Sequence, residues 1–135
     1  MNQKSTIVWL QGLTCNGNSH SFFNYAHMPS FAAAFEMLYH PLVCGEEHFL
    51  SFLQSDTLFD FLILEGALSH DERLIQRFGL PFYEILDTLA PRAKHIICAG
   101  SCASFGGIWY QAITSKTLLY IFHHRIRCES GFFNS

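Results

Sequence analysis

Three short apolar runs punctuate the chain: Thr6 to Leu10 (TIVWL), Phe59 to Leu64 (FDFLIL) and His95 to Ala99 (HIICA). Each leads into a glycine-bearing turn, at Gln11-Gly12, Glu65-Gly66 and Gly100-Ser101. Nearly continuous apolar runs, rather than alternating ones, are what a parallel sheet buried on both faces produces. Parallel strands need crossovers, and the intervening segments have helical patterning. Glu46 and Glu47 open a stretch in which Phe49, Leu50, Phe52 and Leu53 recur at helical spacing, with both acids where the helix dipole favours them. Phe82 to Leu89 (FYEILDTL) is a second helix, stopped by Pro91. Ser19 to Ala34 is helical in pattern but interrupted by Pro29, which predicts two short helices with a break. Glu36 to Val43 (EMLYHPLV) reads as a further strand, with Pro41 near an edge or a strand end. The order β-α-β-α-β-α-β predicts an α/β fold with a doubly wound, mostly parallel sheet.

The pattern changes after Gly107-Ile108. The segment WYQAITSKTLLYIFHHRIRCESGFFNS has no clear cap or strand period, although Leu118, Leu119, Ile121 and Phe122 could share one helical face. The expected division is therefore a domain over 1–108 and an atypical tail over 109–135.

Composition narrows the function classes. The chain of 135 residues is 50% apolar and only 14% charged, against about 25% charged in an average domain. That balance fits a sheet covered on both faces, with some apolar surface left for a partner. The formal net charge is −3 and the basic residues are scattered, so no stripe exists to neutralise phosphates, and nucleic acid is excluded as a ligand class. The longest apolar stretch, TLFDFLILEGAL, is cut by Asp60 and Glu65 and is shorter than the roughly 18 residues that cross a bilayer, so no membrane span is expected. Five cysteines without a basic, apolar leader point to reduced thiols and a cytoplasmic setting, peripheral to a membrane only through partners.

The candidate chemistry gathers in three places. In open parallel sheets, ligands bind beyond the carboxyl ends of the strands, where loops and helix amino termini collect. Cys15-Asn16-Gly17-Asn18 follows the first strand, Glu65-Gly66 ends the third, and Gly100-Ser101-Cys102-Ala103-Ser104-Phe105-Gly106-Gly107 follows the fourth. Two thiols and a carboxylate meeting at one glycine-rich edge is a sharper signal than any of them alone. Cys44 and Cys98 are read as structural, and His123-His124 lacks partners at zinc spacing. Trp9 and the fourteen phenylalanines are read as core or interface filling.

Taken together, IVWLQGLTCNGNSHSF, FLILEGAL and HIICAGSCASFGGI resemble the amino-terminal, flavodoxin-like domain of the small subunit of nickel-iron hydrogenases. More distantly they resemble the small quinone-oxidoreductase subunit of respiratory complex I. The likeness covers the first 108 residues, including EMLYHPLV. It implies a proximal [4Fe-4S] cluster relaying electrons between the nickel-iron site of a partner large subunit and more distant acceptors. Under the resemblance, Cys15 and Cys102 match two cluster cysteines and Glu65 matches a glutamate beside the cluster. Gly17, Gly106 and Gly107 match glycines that let backbone approach it.

The departures from the family pattern are as informative. Asn18 stands at the position of the second family cysteine, His20 stands where the family has glutamate, and the later G-C-P-P turn is missing. A cubane cluster is normally held by four thiolates, of which two are matched here. Histidine can ligate iron, which makes His20 a conceivable substitute, whereas the neutral amide of Asn18 is a poor donor to a soft cluster. Two function classes follow: an iron-sulfur electron-transfer subunit, or a cluster-free remnant or paralogue that keeps the fold and the large-subunit binding face. With no pair of C-x-x-C motifs, the chain is not expected to be catalytic alone. The change of composition at Trp109 and the missing turn are the pattern a frameshift would leave.

Overall fold

The structure, a computed structural model, describes residues 3–68 and 75–105. The expected tail over 109–135, together with Gly106 and Gly107, lies outside the described residues. In chain order the elements are β1 (Ser5–Gln11), α1 (Gly17–Phe23), α2 (Met28–Ala34), β2 (Phe35–Tyr39), α3 (Glu46–Gln54) and β3 (Phe59–Glu65). They continue with β4 (Gln76–Arg77), β5 (Leu80–Pro81), α4 (Phe82–Leu89), a short 3-10 turn (Ala90–Arg92), β6 (Ala93–Ala99) and α5 (Gly100–Phe105).

The main sheet runs β2-β1-β3-β6 with every pairing parallel, in keeping with the doubly wound, mostly parallel sheet that the alternation of strands and helices predicts. Alternation along the strands divides it into two covered faces. Val8, Leu10, Leu62, Leu64, Ile96 and Cys98 form one face and pack with Phe49 of α3 and with Phe82, Ile85, Leu86 and Leu89 of α4. On the other face Trp9 meets Phe22 of α1 at 5.1 Å between ring centroids, and Phe31 of α2 stacks on Phe35 at 4.7 Å. The central strands β1 and β3 are therefore apolar on both sides, which is why their sequences do not alternate.

Three local details differ from the sequence reading or were absent from it. The second strand ends at Tyr39 rather than Val43, because residues 41–43 form a turn in which the amides of Val43 and Cys44 donate to the His40 carbonyl at 3.1 and 2.9 Å. Pro41, which has no amide to give a ladder, falls in that turn. Pro29 occupies the first turn of α2, where a missing N–H costs nothing, so the break between the two short helices lies before it. Finally, β4 and β5 form an unforeseen antiparallel hairpin around Phe78 and Gly79, whose φ values of 53° and 78° match a tight two-residue turn of the primed type.

Arg92 ties the crossovers to the sheet. Its Nε donates to the Thr57 carbonyl at 2.8 Å, and Nη1 to Leu53 at 3.3 Å. Its Nη2 donates to the Phe52 carbonyl at 3.2 Å and to Ser55 Oγ at 3.1 Å. The guanidinium also lies 4.7 Å from the Phe52 ring centre. One side chain thus adds donors at the carboxyl end of α3 and in the segment after it, where carbonyls lack helical partners, and shares the Phe52 carbonyl with the amide and hydroxyl of Ser55.

Candidate functional site

Strand register sets the site. Gln11 pairs with Glu65, and Glu65 with Ala99, so β1, β3 and β6 end level with one another. The segments carrying Cys15, Glu65 and Cys102 consequently leave the sheet from one carboxyl rim. The loops after β1 and β3 are stitched together: Gly12 N donates to the Glu65 carbonyl at 2.8 Å, and Leu13 and Ala67 exchange amide-carbonyl bonds, each at 2.9 Å. Two glycines permit this approach. A Cβ on Gly12 would collide with the Ala67 carbonyl, and one on Gly66, at φ 90°, would lie 2.6 Å from the Leu13 oxygen.

Beneath the rim lies a buried polar network centred on Glu65, which is 1% exposed. Glu65 Oε2 accepts from Trp9 Nε1 at 3.0 Å, Gln11 Nε2 at 2.9 Å and Ser19 Oγ at 2.5 Å, while Oε1 accepts from the Ser19 amide at 3.1 Å. All four donors are neutral. Burial pushes the carboxyl pKa up, but the hydrogen bonds from Ser19, Gln11 and Trp9 outweigh it and hold Glu65 below its ordinary value. Gln11 Nε2 also donates to Asn16 Oδ1 at 2.7 Å and approaches Ser19 Oγ at 3.0 Å, which anchors the turn after β1.

His40, immediately after β2, completes the network. Its Nδ1 accepts the Leu42 amide at 3.1 Å, so the ring proton belongs on Nε2, which lies 3.1 Å from Ser19 Oγ. The chain of donors runs His40 Nε2–H to Ser19 Oγ, and Ser19 O–H to Glu65. Burial lowers the His40 pKa from 6.5 to about 4, against the opposing pull of Glu65. Trp9 meets the ring at a tilt, 5.1 Å between centroids, and Phe23 meets it edge-on at 4.8 Å.

The sequence-predicted residues are placed as follows. Cys15 is an exposed free thiol in the turn after β1, and Cys102 is a half-buried free thiol in the first turn of α5. Gly17 opens α1, where an added Cβ would come within 3.4 Å of Cys15 Sγ. His20 is exposed on α1. Asn18 turns across the rim, and its Nδ2 donates to the Ala99 carbonyl at 3.0 Å. Gln11, Ser19 and His40 were not singled out from sequence. A polar residue closing an otherwise apolar strand is the signal that could have found Gln11, whereas Ser19 and His40 carry no mark in their spacing.

These donors can be set against the cluster that the resemblance implies. Among the described residues no group of three or more His, Cys, Asp or Glu is placed to hold a metal. Cys15 and Cys102 are retained, but the position of the second expected thiolate carries an amide committed to Ala99. The described residues therefore do not fit a four-thiolate cubane.

The family model for "NADH ubiquinone oxidoreductase, 20 Kd subunit" matches residues 15–126. The chain belongs to that family. Among curated relatives of this 20 kDa subunit family member, the periplasmic [NiFeSe] hydrogenase small subunit of Desulfomicrobium baculatum is 24% identical over 127 residues, covering 78% of this chain and 40% of the relative. The chain thus spans less than half the length of that relative. In fold it is similar to the reduced, active Ni-Fe-Se hydrogenase of the same organism, with TM-score 0.75 at 20% identity, covering 93% of this chain and 54% of that one. It is likewise similar to the recombinant [NiFeSe] hydrogenase of Desulfovibrio vulgaris Hildenborough, with TM-score 0.71 at 23% identity, covering 95% and 52%. These likenesses agree with the α/β parallel sheet. No helix among the described residues is long and apolar enough to cross a membrane.

Proposed function

We propose that the chain acts as the small-subunit component of a nickel-iron hydrogenase-like electron-transfer complex, presenting the carboxyl rim of its sheet to a large subunit. The observation that carries this reading is the level ending of β1, β3 and β6, which gathers the segments bearing Cys15, Glu65 and Cys102 at one rim in a chain of this family. Exposed apolar side chains support it. Phe23, Leu42 and Val43 are all exposed and tied to His40, Phe23 through a ring contact and the other two through backbone amides that bond His40. Exposed large apolar side chains on segments that both meet His40 are what a protein partner can cover.

The role has two forms, relay through a proximal [4Fe-4S] cluster or docking without a cluster of its own. The commitment of Asn18 to Ala99 favours the second. Co-expression with a nickel-iron hydrogenase-like large subunit tests the shared part. The two chains are expected to co-purify, and Leu42→Asp combined with Val43→Asp is expected to reduce recovery of the complex at least tenfold while leaving the isolated chain folded. Failure of the unmodified chains to associate overturns the reading.

A further inference from the structure

We infer that Asn18 is a metal-independent latch, which closes the rim by hydrogen bonding at the position where the resemblance implies a cluster ligand. The inference deepens the cluster-free form of the function above and rests on that reading for the meaning of the position. The contact itself is read from the geometry. Asn18 Nδ2 donates to the Ala99 carbonyl at 3.0 Å, joining the first turn of α1 to the end of β6 across 81 residues of sequence.

Both sides of the latch are prepared for it. Gly100 bends the chain immediately after Ala99 at φ 84°, a conformation that L side chains rarely adopt. A Cβ on Gly100 would lie 2.5 Å from Asn18 Nδ2, so this glycine supplies the bend and also the space that the amide occupies. On the opposite side, the neighbours of Asn18 are fixed from below. Asn16 Oδ1 accepts from Gln11 Nε2 at 2.7 Å, and Ser19 is held to Glu65 through both its amide and its hydroxyl. Asn18 therefore projects from a first helical turn of α1 already ordered on either side of it, and little further backbone entropy is lost when its amide engages Ala99. Directing that side chain to iron would release the Ala99 carbonyl and put a neutral amide where a soft cluster needs a thiolate. The rim is set by protein groups alone.

The full chain is tested in two ways. After anaerobic incubation with ferrous iron and sulfide and then desalting, it is expected to stay colourless, and its Tm is expected to be the same with and without a chelator. A stoichiometric [4Fe-4S] spectrum overturns the inference. The second test is a double-mutant cycle of Asn18→Ala and Gly100→Ala. Asn18→Ala is expected to lower Tm by about 2–5 °C, and Gly100→Ala is expected to lower Tm less in that background than in the unmodified chain, because the collision is removed while the backbone strain remains. Additive effects overturn the latch. Where Gly100→Ala does not fold, hydrogen exchange of Asn18→Ala decides: amides over 100–103 should exchange faster while β1 and β3 do not, and unchanged exchange there overturns it. A failure to bind a large subunit would leave each of these results as it stands, so the two readings fail separately.

Discussion

Ser19 binds both oxygens of Glu65, its hydroxyl reaching Oε2 at 2.5 Å and its amide reaching Oε1 at 3.1 Å, and the same hydroxyl meets His40 Nε2. This one fully buried side chain connects a carboxylate on β3 with an imidazole after β2, while its backbone belongs to α1. Ser19→Ala is accordingly expected to cost more than a surface hydroxyl. Leaving the buried partners short of a hydrogen bond should lower stability by about 1–3 kcal/mol, read as a shifted midpoint at unchanged slope in urea unfolding. A midpoint equal to that of the unmodified chain would show the network to be without energetic weight.

His40 gives stability a pH dependence. Its folded pKa, about 4, lies below its ordinary 6.5. The unfolded chain therefore takes up a proton first as pH falls. The contribution of His40 is fully present above pH 6.5, declines between 6.5 and about 4, and is absent below. Its size is on the order of 3 kcal/mol. The lowered pKa of Glu65 extends the loss to more acid conditions, since its contribution disappears as pH falls through the folded value. Unfolding curves at pH 7.5 and pH 5 should differ accordingly, and His40→Gln should flatten the slope in that interval by about one proton.

Arg92 serves carbonyls of residues 52, 53 and 57 with one planar fork. Arg92→Met keeps much of the apolar contact with Phe52 but removes the guanidinium donor from the Leu53 and Thr57 carbonyls, while the Phe52 carbonyl keeps the Ser55 amide and hydroxyl, an expected loss of about 1–3 kcal/mol. Arg92→Lys should not restore it, because a single ammonium cannot present the same set of donors. Denaturant unfolding of the two variants checks both statements.

Two glycines with similar φ separate backbone strain from crowding. Gly79, at φ 78°, has nothing within 4 Å of an added Cβ, so Gly79→Ala should cost only the left-handed conformation, about 1–2 kcal/mol. Gly66, at φ 90°, has the Leu13 carbonyl 2.6 Å from that atom. Gly66→Ala should therefore cost clearly more, and parallel thermal melts give the ranking.

Much of the sheet was legible because its central strands are apolar on both faces. TIVWL, FDFLIL and HIICA needed no knowledge of neighbours to be read as parallel strands, and the rim followed from their glycine turns. The end of β2 was harder to read, since Leu42 and Val43 continue the apolar run while Pro41 and the His40 carbonyl divert the chain into a turn. The hairpin at Phe78-Gly79 escaped notice because a phenylalanine at positive φ contradicts local preference. Glu65 was legible from its place at a strand end, but its partners were not. Ser19 and His40 lie 46 and 25 positions away in sequence, and only the folded register brings them to it.

The bond between Asn18 and Ala99 also bears on how the protein is made. A ribosome must release nearly the whole described sequence before residue 99 can meet residue 18. Until β6 arrives, the edge of β3 that it will occupy is an open strand of a nascent chain, rich in apolar groups and without a neighbour. Synthesis arrested in that interval would yield an aggregation-prone product, and chaperone dependence should be greatest there.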